Sequence, residues 1–325
     1  MRLSARPWLK PLLCTATAIA LAGAALARDA TPASPSAEAK SPPVPLLWRV
    51  SDADNSVYLL GSFHLLEPTD YPLSRDVDAA FADAESLVFE LPPEEMASPQ
   101  LGVRMGQAAL RSDGTMLDDE LPPATAARLA AWAADSGMNA SMLQTFEPWF
   151  VALMVTIHEL TRMGFNPELG LDAHMAGLAA RAQKPTSGLE TGAEQIAFLD
   201  GMGREEQVQF LQEALGQTGE GSAEMRELHA AWRRGDIDAM WNGMVLDMRE
   251  RYPDLYRRIN VERNDRWVPE IEQRLRQPGT DDTLVVVGAL HLLGGDGVVE
   301  KLRARGYEVE RVCSACEAGA ASPAR

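Results

Sequence analysis

The sequence is poor in cysteine and in basic residues, and each scarcity removes a class of function. It has three cysteines, and Cys14 falls in the leader described below, which leaves Cys313 and Cys316 as a pair. In an oxidising compartment these two would close a small disulfide. A working Cys-x-x-Cys redox centre belongs at the front of a helix after an early strand, whereas this pair follows the last predicted strand. A zinc site here would need two more ligands nearby, and none is visible.

Lys and Arg number 30 against 47 Asp and Glu, for a net charge of −17. The leader holds Arg2, Arg6 and Lys10 and no acid, so the mature chain is more acidic still. Such a surface repels phosphate, which argues against nucleic acid and anionic lipid as partners. No Gly-rich phosphate loop or dinucleotide fingerprint stands between a strand and a helix, so a nucleotide cofactor is not expected. The apolar run Leu12 to Leu26 is too short and too rich in alanine for a membrane span. It follows basic residues and closes with Ala25-Leu26-Ala27, the pattern of a secretory signal peptide cleaved after Ala27. An uncleaved anchor is the alternative. The expectation is an exported protein, periplasmic or secreted, with no stable membrane insertion after cleavage.

The chain is then read as a leader over 1–27, a disordered Pro/Ser/Ala-rich linker over 28–45, a folded body over 46–317 and a flexible tail over 318–325. Leu47 to Val50 and Ser56 to Leu60 form a hairpin around a polar turn. Ser74 is placed to cap a helix bearing Val77, Ala80 and Phe81 on one face, and Ser86 to Leu91 follows as a buried strand stopped by Pro92-Pro93. Strand, helix, strand is the order of a parallel βαβ unit. The middle, about 95–278, is mostly helical: 123–136, 147–163, 171–182, 193–200, 205–215, 223–234, 237–249 and 255–276. A short strand at 185–190 interrupts it. The end is again α/β, with strands at Thr283 to Val287 and Tyr307 to Val312 around a helix from Asp296 to Arg305. The predicted fold class is α/β (α+β), a central sheet formed by the N- and C-terminal segments with a large helical insertion.

Two of those strands end in the same pattern. Val57-Tyr58-Leu59-Leu60 runs into Gly61-Ser62-Phe63-His64-Leu65-Leu66, and Val285-Val286-Val287 into Gly288-Ala289-Leu290-His291-Leu292-Leu293. Each His is delivered just past a buried strand, and if the strands are neighbours the two imidazoles share one rim, where open α/β sheets keep ligands. Glu90 and Glu190 end two further strands. Singly, such a His is usually a hydrogen-bonded structural residue and such a Glu is solvated; the joint pattern favours a shared site. Two imidazoles and one or two carboxylates suit a divalent transition metal, Mn, Co or Zn, with coordination left open for a water. One glutamate would complete the ligand set while the other serves as general base, and the residues do not say which.

Other chemistry is weaker. Ser62 lacks the G-x-S-x-G elbow of a serine nucleophile. His158-Glu159 begins an H-E-x-x-H motif that Arg162 spoils. Asp172 and His174 point apart on one helix, although Asp172 could reach the site from the helix start, and His229 reads as solvated in a charged helix. The stripe Phe146, Trp149, Phe150, Leu153, Met154, Ile157 and Leu160 reads as core packing.

Gly61 to His64, Glu90, Glu147-Pro148-Trp149, Gly170-Leu171-Asp172, Gly188-Leu189-Glu190-Thr191 with Gln195, Glu262-Arg263-Asn264, and Val287 to Gly297 running into Arg305-Gly306-Tyr307 together resemble the TraB/GumN family, related to the TIKI metal-dependent proteases. The resemblance spans Leu46 to Val312. It implies a metallohydrolase acting on a peptide or protein, with His64, His291, Glu90 and Glu190 as metal or catalytic residues. It further suggests that Arg263 and Asn264 hold a developing oxyanion or orient a carbonyl; alone, Arg263 reads as a helix-surface ion-pair residue. The family is broad, and related folds include esterase-like hydrolases and haem-binding proteins. The alternatives are therefore a non-catalytic protein that binds a peptide or haem in the same cleft, and a small-molecule esterase.

Overall fold

The computed structural model describes residues 41–219 and 222–316. The leader, most of the 28–45 stretch and the tail lie outside them. The last residues of the expected linker are packed: Pro43 and Pro45 are buried, and the Val44 amide donates to the Arg233 carbonyl at 2.7 Å.

Six strands form one sheet: β1 (Leu47–Ser51), β2 (Ser56–Ser62), β3 (Ser86–Phe89), β4 (Thr186–Gly188), β5 (Thr283–Gly288) and β6 (Glu308–Arg311), in the order β4-β3-β5-β2-β1-β6. β2, β5, β3 and β4 run parallel, and β1 is antiparallel to both β2 and β6. Every residue of β5 is buried, as a central parallel strand covered by helices on both faces requires. The edge strand β6 alternates exposed and half-buried residues. The sheet is thus closed by segments from both ends of the chain around a helical insertion, as the sequence implied.

β2 and β5, which carry the repeated motif, are adjacent, with Val57 opposite Thr283 and Ser62 opposite Gly288. The expected βαβ unit needs one correction, because β5 lies between β2 and β3. The order of segments along a chain is silent on a strand that arrives some 200 residues later, and the apolar character of β5 wins it the central place.

Most helices fall where the periodicity puts them, among them Pro123–Ser136, Pro148–Arg162 and Leu171–Ala182. In the second of these, Trp149, Phe150, Leu153 and Leu160 are buried in the core. Ser74 stands before the Arg75–Asp83 helix, yet its side chain makes no capping bond. A helix over Pro99–Ala108, burying Leu101 and Met105, was not anticipated. Two helices expected to be continuous are each interrupted by a π-helical turn, Trp241–Val245 and Arg257–Val261. His229 is buried rather than solvated: its helix Ser222–Arg234 turns Met225, Leu228, His229 and Trp232 to the core. Among the described residues no helix is long and apolar enough to cross a membrane.

Candidate functional site

All the predicted site residues meet at the C-terminal ends of the parallel strands, the rim at which open α/β sheets bind ligands. Gly61 permits the close approach there, since a Cβ on it would lie 3.1 Å from that of Leu46 and 3.3 Å from Ala289. His64 follows β2, and His291 sits in a short turn over Ala289–Leu292 directly after β5. Glu90 and Glu190 follow β3 and β4, and the Glu190 amide donates to the Glu90 carbonyl at 2.9 Å. Arg263 and Asn264 come from the second residue onward of the Glu262–Leu275 helix. They are buried, as are Glu90, Glu190 and His291; Arg263 is therefore no helix-surface residue.

Each imidazole is held through Nδ1. His64 Nδ1 donates to Asp172 Oδ2 at 2.7 Å, an oxygen that also accepts from Ser62 Oγ at 2.7 Å. His291 Nδ1 donates to Asn264 Oδ1 at 2.7 Å. The Asn264 amide can face only this way, because its Nδ2 donates to the Asp296 carbonyl at 2.8 Å and to Asn260 Oδ1 at 3.2 Å. Asn260 belongs to the Arg257–Val261 π-helical turn, which seats it behind Asn264. In the neutral ring with its proton on Nδ1, Nε2 presents a lone pair, and both Nε2 atoms lie 3.9 Å from one atom, Glu90 Oε1.

The glutamates differ. Glu90 Oε1 accepts from the Gly288 amide at 2.8 Å and Oε2 from Arg263 at 2.6 Å, which leaves Oε1 facing the two imidazoles. Glu190 is covered by donors: Arg263 Nε at 2.9 Å, Trp267 Nε1 at 3.1 Å, Arg266 at 3.2 Å and Gln195 at 3.3 Å. Arg263 thus bridges both carboxylates, and its third nitrogen donates to His291 Nε2 at 3.2 Å.

These neighbours set the charges. Burial opposes ionisation of Glu90, but the guanidinium of Arg263 and the nearby imidazoles outweigh it and hold the carboxyl well below the usual range. Burial likewise disfavours a charged His64, yet Asp172 and Glu90 raise it to about 9. Burial and Arg263 push His291 down to about 3, so its ring is neutral at physiological pH.

A metal ion is a test the donors pass in kind. Nitrogen, nitrogen and carboxylate oxygen suit a divalent transition ion, and Nδ1 anchors of this sort orient metal-ligating histidines. Three carboxylates, of Asp172, Glu90 and Glu190, balance the guanidinium groups of Arg263 and Arg266 together with the charged ring of His64, whose proton an incoming ion would displace. The separations are wider than the about 3.3 Å between two donors on a tetrahedral ion with bonds near 2.0–2.1 Å. Among the described residues no group of three His, Cys, Asp or Glu side chains is drawn together closely enough to hold an ion as it stands.

Sequence reasoning missed Trp267 and Arg266 as partners of Glu190. Trp267 lies one helical turn from Arg263, and that i, i+4 spacing was the available signal. His158, whose motif Arg162 breaks, packs edge-on against Trp132, and His174 lies against Tyr71. Cys313 and Cys316 are joined in a disulfide.

The chain is 22% identical to the uncharacterized protein YbaP of Escherichia coli (strain K12) over 246 residues, 76% of this chain and 87% of that protein. YbaP of Shigella flexneri matches to the same extent. No solved structure matches. The model of the TraB/PrgY/gumN family matches residues 46–311, a span that runs from β1 to the end of β6 and takes in every site residue described above, and the chain belongs to that family.

Proposed function

We propose that the protein is an exported metal-dependent hydrolase that cleaves amide bonds in peptides or proteins, with His64, His291 and Glu90 holding one divalent ion, Mn, Co or Zn. One observation carries this reading: two imidazoles from opposite ends of the chain, each anchored at Nδ1, aim Nε2 at the same Glu90 oxygen from 3.9 Å. A bound ion of this class would supply an activated water near neutral pH.

The chain's own residues have separate tasks in this reading. Asp172 and Asn264 fix the two rings, and the Gly288 amide with Arg263 fixes Glu90. Glu90 Oε1 is the carboxylate oxygen that faces both imidazoles, so of the two glutamates it takes the ligand or base role. Glu190, saturated by four side chains, positions Arg263 instead. Export rests on the basic, apolar and small-residue pattern of residues 2–27, and a disulfide is at home in an oxidising compartment.

A second reading, capture of a peptide or haem without turnover, is favoured by the guanidinium of Arg263 lying against His291 Nε2, since a cation there competes with a metal. The decisive measurement is metal analysis of the native protein beside a His64→Ala, His291→Ala double variant. The proposal expects one divalent ion per chain, lost in the double variant with circular dichroism unchanged, and peptide hydrolysis that a chelator abolishes. Protein that holds no ion, and whose melting point and hydrolysis do not respond to added Mn, Co or Zn, would refute it; stoichiometric ligand capture without turnover would establish the second reading.

A further inference from the structure

The residues that follow His291 line a cavity of about 640 Å³, within the size range of small-molecule sites. Trp48 on β1, Trp241 in the π-helical turn, and Leu292 and Leu293 give it apolar walls, and Arg311 on β6 also lines it. Gly294 keeps the loop flat against Trp241: its φ is +69°, and a Cβ there would lie 1.9 Å from the indole.

Arg311 is the anomaly. It stands opposite Trp48 in the β1–β6 register, with its guanidinium carbon 4.7 Å from the Trp48 ring centroid. All three of its nitrogens are buried and none has a hydrogen-bond partner. Burial lowers its pKa to about 10, which leaves it cationic at neutral pH. A buried, unpaired cation is costly, and a guanidinium fork matches a carboxylate in two parallel hydrogen bonds. Nearby Arg303 is already paired with Glu300, and Asp238, also in the lining, is an acid. One uncompensated positive charge beside an acid suits a monoanion better than a phosphate dianion.

The geometry points to a second binding site, separate from the Glu90 centre, for a monocarboxylate carrying an apolar or aromatic body, in which Arg311 turns its covered guanidinium into the cavity to pair with the carboxylate and the body lies between Trp48 and Trp241. None of these residues takes part in the hydrogen bonds around Glu90. The chemistry is shared by a small aromatic acid and by the C-terminus of a peptide ending in an apolar residue.

The test is a titration of the native protein, followed by tryptophan fluorescence and calorimetry, with N-acetyl-L-phenylalanine, its amide and phenyl phosphate. Saturable binding of the acid, with the amide and the phosphate at least tenfold weaker, is expected. Arg311→Met should weaken binding of the acid at least tenfold while the melting temperature holds or rises, because the variant removes an unpaired buried cation. Arg311→Lys, which keeps the charge and loses the fork, should also bind more weakly. A pentapeptide ending in a free Phe carboxylate that binds tighter than the acid identifies a peptide terminus as the occupant, and equal or weaker binding identifies a small molecule. Absence of saturable binding of the acid at millimolar concentration, equal binding of acid and amide, or unchanged binding by the Arg311 variants would overturn the site.

Discussion

Among the described residues two buried clusters are built from the same parts, a carboxylate, an arginine and histidine, and they differ in how closely those parts meet. In the first, Asp70 accepts from the Glu67 amide at 2.7 Å, from His229 Nε2 at 2.9 Å and from Arg233. The His229 ring is packed among Phe63, Phe165 and Trp232, and Trp232 donates to the Gly61 carbonyl at 3.0 Å. This cluster is a brace beneath the first motif. In the second, Arg263 joins Glu90 to Glu190, yet two ring nitrogens stop 3.9 Å short of Glu90 Oε1. The same residue types form a closed brace where imidazole and guanidinium bond the carboxylate directly, and leave room for a ligand where two imidazoles stand 3.9 Å from it.

The sharpest break in this comparison is Arg263→Met. It leaves Glu90 and Glu190 buried without their shared cation, and breaking a buried ion pair from one side costs about 3–5 kcal/mol. Urea unfolding should show a loss of that size. A loss below about 1 kcal/mol would mean that Arg263 is no keystone.

The brace should fail in acid. The ordinary carboxyl value of Asp70 is 3.8, and although burial opposes ionisation, the bonds from His229, the Glu67 amide and Arg233 prevail and lower it in the folded protein. A group with a depressed folded value adds stability that is fully present above its unfolded value and is lost as the pH falls through the folded one. Asp70→Asn should therefore cost about 1–3 kcal/mol at neutral pH, and the gap between variant and parent should narrow below about pH 4. Parallel unfolding curves with a constant gap down to pH 3 would contradict this assignment.

Much of this was legible beforehand, because apolar runs and repeated motifs are local signals. The G-x-x-H strands, Glu90 and Glu190 were placed from pattern alone, and the sheet brought them together. What pattern could not show was the partnering. Arg263 reads as a surface residue until its helix is packed against the strand ends, and His229 reads as solvated until Trp232 on the same face is seen to be core. The π-helical turn that seats Asn260 behind Asn264 leaves no trace in a 3.6-residue period. The central place of β5 depends on strand pairing across more than 200 residues, which no window along the chain can detect.

The smallest effect separates availability from reactivity at the first motif. Ser62 Oγ donates to the Asp172 oxygen that also holds His64, so its hydroxyl is an orienting group at one remove from the imidazole. Ser62→Ala removes one hydrogen bond and leaves the other in place, a loss of about 0.5–1.5 kcal/mol in stability. Removing a residue that directly holds a ligating histidine typically weakens metal binding by about 10–100-fold. Ser62 acts one bond further out, so the variant should retain Mn, Co or Zn affinity to within about tenfold and keep most of any hydrolytic rate. A serine nucleophile would instead be eliminated outright by the same substitution, with metal affinity untouched. A variant that binds the ion normally and hydrolyses nothing would therefore move the chemistry from the histidine pair to Ser62.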